Sequence, residues 1–202
     1  MLYGIARKHL GRILLPIGGF RKEQIRHRAA DLGLPVAEKP DSQEICFVED
    51  DYVELLRRLR PEALRPGEIV DSSGHVLGTH EGVGRFTVGQ RRGLGVAAGE
   101  PLYVTRIDAA AARVTVGPKA EVMASRLSAG GANWHVDPPP AGSAFDATVQ
   151  IRYNHAGAAG RVRVTGAATF EVDFDRPVEA VTPGQAAVIY DDDRLLGGGW
   201  IR

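Results

Sequence analysis

Cys46 is the only cysteine among the 202 residues, and its thiol is a candidate reactive group. It lies within a polar stretch, residues 40–47, that has no clean helical or strand period, so we expect Cys46 on a loop or a short strand. A lone cysteine excludes an internal disulfide and a cysteine-rich zinc site. Two interpretations remain: a small, buried apolar residue, or an accessible thiolate able to accept and donate sulfur.

A second candidate site is a set of arginines. The stretch from Gly82 to Gly99 contains Arg85, Arg91 and Arg92 and no acidic residue, and its glycines would let the backbone approach a phosphate closely. This pattern indicates a grip on a nucleic-acid backbone. The alternative is a glycine-rich loop whose arginines are merely solvated.

A third candidate lies near the end of a predicted strand. Alternation places Arg152 on the face opposite Ile151, so its guanidinium should point outward beside Tyr153, whose ring can stack on a base. Arg161 and Arg163 alternate in the same manner, and for them we favour a solvated exterior.

The histidines show no close pairing of the kind that suits zinc, and no metal is predicted. They are His9, His27, His75, His80, His135 and His155. A cysteine hydrolase that pairs Cys46 with His75 or His80 is a weaker alternative.

Helices are predicted in the first third of the chain. Ile25, Ala29 and Leu32 follow a helical period, and Gly33 stands where a helix C-terminus favours a left-handed residue. A second helix should follow residues 50–51, with an apolar face formed by Tyr52, Leu55, Leu56 and Leu59.

Strands are predicted after Pro66. Residues 68–70 and 75–77 flank an Asp-Ser-Ser-Gly turn, residues 102–107 and 113–116 form another pair, and the region beyond residue 144 alternates with a period of two. Short strands with tight turns over about seventy residues suggest a small closed barrel. The predicted fold is mainly β with an N-terminal helical segment, a small central β-domain and a C-terminal β-barrel.

The predicted boundaries divide the chain into residues 1–62, 63–125 and 126–202. A run of three prolines, Pro138-Pro139-Pro140, is read as the seam before the alternating strands, because proline removes backbone donors and favours extended linkers.

Composition limits the class of protein without deciding it. The 44% hydrophobic content is typical of a globular protein, and no run approaches the roughly 18 apolar residues of a membrane span. Basic and acidic residues number 25 each, so affinity for nucleic acid must come from local patches. A cytoplasmic location is expected.

Several strings in order resemble the tRNA-specific 2-thiouridylase family, and together they cover nearly the whole chain. They are PVAEKPDSQEICF at residues 35–47, GTHEG at 78–82, FTVGQRRGLG at 86–95, IRY at 151–153, PGQAAV at 183–188 and LGGG at 196–199. Any one of them alone would be weak.

The resemblance implies a function. Members of this family use ATP to adenylate the wobble uridine of certain tRNAs at its C2 oxygen and then replace that oxygen with sulfur carried as a cysteine persulfide. Cys46 is thereby implied to be the persulfide-bearing residue and the catalytic one. The residues implied to contact tRNA are His80, Arg91, Arg92, Arg152, Tyr153 and Gln185. The implied barrel is of the type found in translation factors.

The resemblance also implies partners. The family's phosphate-binding string, of the Ser-Gly-Gly-x-Asp-Ser kind, does not occur here, and neither does the second cysteine that serves the family as nucleophile or disulfide partner. We therefore expect this chain to correspond to the C-terminal two-thirds of the family, with ATP as a co-substrate bound by a separate adenylating domain. tRNA and a persulfide donor, a cysteine desulfurase or a sulfur-relay protein, are the expected partners, and the isolated chain is expected to be incomplete.

One alternative of a different class stays open. The chain could be a non-catalytic RNA-binding module in which Cys46 is inert.

Overall fold

The computed structural model describes residues 2–39, 52–96, 98–153 and 155–202. Cys46 and the polar stretch before it lie outside the described residues. The fold is mainly β, with a helical N-terminal segment and a closed C-terminal barrel, as the alternation in the sequence predicts.

The helical segment contains α1 (Arg7–Leu10) and α2 (Lys22–Asp31). Gly33 has φ +66°, so it ends α2 in the left-handed conformation that the sequence indicates. None of the ten residues of α2 is buried. The large apolar side chains around α2 are exposed, Leu14 and Leu32 among them, so the apolar period of this helix does not pack into a core within the described residues.

Helix α3 (Tyr52–Leu59) leads through a short 3₁₀ turn, Pro61–Leu64, into the first sheet. Helix α3 forms with its predicted apolar face, although Leu59 at the end of that face is exposed within the described residues. Val53 is the residue that α3 buries instead, and the side chain of Leu56 contacts Gly84 of the 3₁₀ turn Val83–Arg85. Helix α3 therefore packs on the central domain.

Four strands form the central sheet: β1 (Gly67–Val70), β2 (Val76–His80), β3 (Tyr103–Asp108) and β4 (Arg113–Gly117). Their order is β2-β1-β4-β3, with β1 parallel to β4 and the other pairs antiparallel. Ile69, Val104, Val114 and Val116 are fully buried and form its core with Val83 and Leu94. The two predicted strand pairs are confirmed.

Six strands close into a barrel in the order β10-β5-β8-β7-β6-β9. A 3₁₀ turn, Lys119–Val122, leads from the central sheet into it. The strands are β5 (Met123–Trp134), β6 (Ala144–Gln150), β7 (Ala158–Gly166), β8 (Thr169–Glu179), β9 (Ala186–Asp191) and β10 (Arg194–Ile201). Alternation sets the interior: in β7, Val162 and Val164 point into the core while Arg161 and Arg163 point outward. The predicted closed barrel is confirmed.

The proline seam is wrong. Strand β5 lies before the prolines and pairs with both β8 and β10, so the barrel already contains it. The prolines occupy the connection between β5 and β6, where no strand partner needs their missing N–H groups.

The start of the helical segment is fastened to the barrel. The side chain of Asn133 donates to the carbonyl oxygens of Tyr3 and Ile5, and the Nε2 of His135 lies 3.0 Å from the oxygen of Tyr3. The buried Tyr3 ring lies over Gly198, where a β-carbon would stand 2.8 Å from Cδ2 of the ring. The glycine run in β10 thus makes room for this segment.

No helix in the described ranges is long and apolar enough to cross a membrane.

Candidate functional site

The loop after the 3₁₀ turn Val83–Arg85 is held in a fixed shape. The Gly89 N–H donates to the carbonyl oxygen of Val104 at 2.8 Å, and the Val104 N–H donates to that of Gln90 at 2.9 Å. The Gln90 side chain accepts from the Thr87 N–H at 3.0 Å and donates to the Arg92 carbonyl oxygen at 2.9 Å. Residues 87–92, hereafter the arginine loop, therefore present the exposed Arg91 and Arg92 from a rigid base.

Gly89 joins the arginine loop to the barrel. A β-carbon on Gly89 would overlap that of Ala180, which follows β8, and would stand 4.0 Å from Nη1 of Arg152, which follows β6. Its φ of +85° also favours glycine. The structure thus brings Arg152 beside the arginine loop, although the two are far apart in the sequence.

The predicted role of the glycines needs one correction. Gly84 and Gly89 lie against protein, at Leu56 and Ala180, and do not leave their backbone open for a phosphate. Gly95 has no atom within 4 Å of a built β-carbon, and Gly93 has only the Gln90 amide at 3.9 Å. Among these glycines, therefore, only Gly93 and Gly95 leave room for a phosphate to approach the backbone closely.

The turn after β6 is organised by Gln150. Its Nε2 donates to the carbonyl oxygens of Tyr153 at 3.2 Å and His155 at 2.8 Å. The Tyr153 ring points away from the protein and is 95% exposed. A fixed turn therefore displays a large aromatic ring to solvent, where an incoming ring can stack on it.

A groove runs along the outer face of β6 and β9 and ends at this turn. Its volume is about 450 Å³. The residues that line this barrel groove are Gln150, Ile151, Arg152, Tyr153, Gln185, Ala186, Val188 and Tyr190. Three residues predicted from the sequence, Arg152, Tyr153 and Gln185, thus meet in one depression.

Gln185 is fixed by its backbone and unsatisfied in its side chain. Its N–H donates to the Thr182 oxygen, and its own carbonyl oxygen accepts from Ile201 N–H at 2.8 Å. Its Oε1 is buried and receives no hydrogen bond within the described residues. A buried acceptor without a donor is costly, so this amide has capacity for a further partner.

The arginines of this surface differ from three others in their ion pairing. Arg161 is paired with Asp146 at 2.9 Å, Arg163 with Asp173 at 3.0 Å, and Arg85 with Glu81 at 3.6 Å. In the described part of the chain, Arg91, Arg92 and Arg152 have no carboxylate within ion-pair distance. These three cations are available to a ligand.

His155 lies beside Arg152. Burial lowers the pKa of His155, and the positive charge of Arg152 lowers it further. The imidazole is therefore neutral at physiological pH, and its Nδ1 faces the Ile151 N–H at 3.5 Å. The positive charge of this turn is carried by the guanidinium.

His80 does not join this surface. It is buried at the end of β2, its Nδ1 accepts from the Gly82 N–H at 3.0 Å, and its ring lies 5.3 Å from that of Phe86. Burial lowers its pKa, while the Ala112 carbonyl oxygen acts in the opposite direction. The geometry gives His80 a packing role, and its contact with tRNA stays a prediction.

His75 belongs to the β1–β2 turn. Its Nδ1 lies 2.8 Å from the Ser73 hydroxyl and 3.3 Å from the Asp71 carboxylate. Within the described residues, no group of three histidine, cysteine or acidic side chains could hold a metal ion.

Three domain families match consecutive parts of the chain. Residues 1–50 match a tRNA methyl transferase HUP domain, residues 54–118 a tRNA methyl transferase PRC-barrel domain, and residues 124–201 an aminomethyltransferase beta-barrel domain. Curated relatives named tRNA-specific 2-thiouridylase MnmA match from end to end of the chain. Those from Syntrophotalea carbinolica and Geotalea uraniireducens are 48% and 47% identical over 99% of the chain, and one from Chloroflexus aurantiacus is 46% identical over all of it.

The chain belongs to the tRNA-specific 2-thiouridylase family.

The chain spans only part of the family's length. It covers 56%, 53% and 56% of those three 2-thiouridylases. The HUP-domain match takes in residues 1–50, which include Cys46 and the exposed apolar side chains around α2.

Several residues of this surface were not predicted from the sequence. Gln90 and Gln150 shape the two loops, and Tyr190 forms a wall of the barrel groove. Gln90 precedes Arg91 and Gln150 closely precedes Arg152, so proximity to a predicted cation was a signal that could have found both. Nothing in the sequence signals Tyr190, because its outward position resembles that of any solvated strand residue.

Proposed function

We propose that this chain supplies the tRNA-binding surface and the sulfur-carrying cysteine for 2-thiolation of the wobble uridine of tRNA. The observation that carries the proposal is the approach of Arg152 to Gly89. It places Arg152 of the barrel against the arginine loop of the central domain, and the names of the relatives supply the substrate class.

The electrostatics support RNA as the ligand. The chain has no net charge at neutral pH, yet among the described residues Arg91 and Arg92 of the arginine loop and Arg152 beside it have no carboxylate partner. Unpaired arginines on rigid loops are suited to phosphate oxygens, and release of counterions from RNA supplies most of such binding energy. Tyr153 adds an exposed ring for stacking on an unpaired base.

Cys46 carries the proposed chemistry. Its thiolate would attack the outer sulfur of a donor persulfide, so that a Cys46 persulfide forms and the donor leaves as a thiolate. That outer sulfur would then attack C2 of the adenylated uridine, with AMP leaving. A second thiol must break the remaining S–S bond and is itself oxidised to a disulfide with Cys46. This chain holds one cysteine, so the second thiol must come from another protein segment.

ATP binding is assigned to protein outside the described residues. In the described part, Gly197, Gly198 and Gly199 lie inside β10 and not between a strand and a helix, so they do not form a phosphate-binding loop. The HUP-domain match over residues 1–50 is the feature that connects the chain with ATP use.

Two assays on the purified chain test the proposal. The first measures tRNA affinity. The second offers a cysteine desulfurase with labelled cysteine and looks for a persulfide on Cys46 by mass spectrometry, with Cys46→Ser as the control.

Tight tRNA binding together with label on Cys46 supports both halves of the proposal. Tight tRNA binding with an unlabelled Cys46 supports a non-catalytic RNA-binding module instead. No binding of tRNA contradicts the proposed surface.

A further inference from the structure

We propose that the barrel groove binds one unstacked nucleobase of the tRNA, with the base against Tyr153 and its edge at the Gln185 amide. This inference rests on the proposed function and names the part of the tRNA that this groove would take.

The size and floor of the groove suit a flat heterocycle. Its volume of about 450 Å³ lies within the range of small-ligand sites. Strand alternation puts Ala186, Val188 and Tyr190 on the outer face of β9, while Ala187 and Ile189 fill the barrel core. An apolar floor on a rigid sheet favours a planar ring over a hydrated polar group.

Aromatic rings stand at the walls. Tyr153 is 95% exposed on a turn that Gln150 holds, and Tyr190 lies on the strand beside it. Proteins bind unpaired bases by stacking them on such rings, and this stacking tolerates any base. Because the Tyr153 backbone is held by Gln150, little ordering is needed when a base arrives.

The polar groups of the groove suit the edge of a base. The buried Oε1 of Gln185 lacks a donor, and an exocyclic amino group or ring N–H of a base can supply one. A glutamine amide also donates, so it can form paired hydrogen bonds with a base edge. Arg152 is the only charged side chain in the lining and can hold the phosphate attached to that base.

A neighbouring acidic pocket determines on which side the RNA strand leaves the barrel groove. On the other side of Tyr190 lies a pocket of about 370 Å³ whose lining includes Asp146, Asp175, Asp191 and Asp192. These carboxylates repel phosphate. The strand must therefore leave the barrel groove toward Arg152 and the arginine loop.

The experiment uses the full chain and an anticodon-arm RNA in which each loop nucleotide is replaced in turn by an abasic residue. We expect one replacement to weaken binding by roughly tenfold, the usual size of one stacking contact. Tyr153→Ala should cost a similar factor, and the two changes together should cost little more than either alone. Tyr153→Phe, which keeps the ring, should bind like the wild type.

A substitution of Gln185 provides an independent test. Gln185→Leu should weaken binding of the intact RNA several-fold but leave the affinity of the sensitive abasic RNA unchanged, because that RNA has no base edge to lose.

The inference is overturned if no abasic position weakens binding by more than about twofold. It is also overturned if the combined loss of affinity equals the product of the two separate losses, because Tyr153 and the missing base would then act independently. If the RNA still binds in those cases, with an affinity that depends on Arg152, the proposed tRNA surface stands without the base site. If no RNA binds, both fail together.

Discussion

Gly89 of the central domain and Ala180 of the barrel approach so closely that a β-carbon on Gly89 would overlap the β-carbon of Ala180. The backbone of Ala180 is fixed in turn, because its N–H donates to the Val122 oxygen at 2.7 Å. The relationship sets the spacing between the arginine loop and Arg152, and through it the width of the proposed tRNA-binding surface.

Gly89→Ala should therefore disturb binding without touching a charged residue. The added methyl group must push the two domains apart, and overpacking of this kind costs roughly 1–3 kcal/mol of stability. We expect tRNA affinity to fall by about tenfold when measured by fluorescence anisotropy. Gly142→Ala is the matched control, since Gly142 also has a positive φ and open space around it but precedes β6, at the opposite end of that strand from Arg152. Equal losses in both variants would assign the effect to backbone strain alone.

Arg152→Ala and Arg91→Ala should each weaken tRNA binding and lower the slope of log affinity against log salt by about one contact. Arg161→Ala is the control, because its guanidinium is already paired with Asp146. The measurement is a salt titration of affinity for all three variants. A slope in Arg161→Ala that falls as far as the other two would mean that the charge effect is general and not local.

Gln150→Met should loosen the turn that carries Arg152 and Tyr153. The change keeps the length of the side chain but removes the two hydrogen bonds to carbonyl oxygens, each worth about 1 kcal/mol. We expect faster amide exchange in residues 152–155 and weaker tRNA binding, with the closed barrel still folded. Thr165→Val, which removes the Thr169 hydrogen bond elsewhere on the barrel, should leave both readouts unchanged.

Acid should destabilise the central domain through His80. Burial lowers the pKa of His80 in the folded protein, so the unfolded chain takes up the proton more readily. The stabilising effect of the neutral ring is complete above the ordinary histidine pKa of 6.5 and is lost as the pH falls below it. Urea unfolding of the wild type and of His80→Asn between pH 8 and pH 5 measures this. Identical pH dependence in both proteins would contradict it.

The sequence predicts the barrel well because its physics is local. A strand with one buried face must alternate, and β7 does so from Val162 to Val164 with Arg161 and Arg163 outside. The turn at Gly74, with φ +90°, is equally local. The same reasoning fails for α2, where a helical period correctly predicts the helix but cannot predict whether anything covers its apolar side chains.

The surface could be predicted only in part. Arg152 and Tyr153 are visible as an outward pair at the end of a strand, whereas the approach of Arg152 to Gly89 depends on how two domains meet. The sequence predicts room for a phosphate at Gly89, but the neighbour of this glycine is Ala180. Cys46 lies outside the described residues, so its role continues to rest on its sequence surroundings.

Closure of the barrel has a consequence for the speed of recognition. Every strand beneath the barrel groove is hydrogen-bonded on both sides, so the groove between β6 and β9 has its shape before RNA binds. The barrel groove is therefore preformed and needs no conformational change when RNA binds. The association rate should then be governed by electrostatic attraction and diffusion, with selectivity among RNAs expressed in how long each one stays.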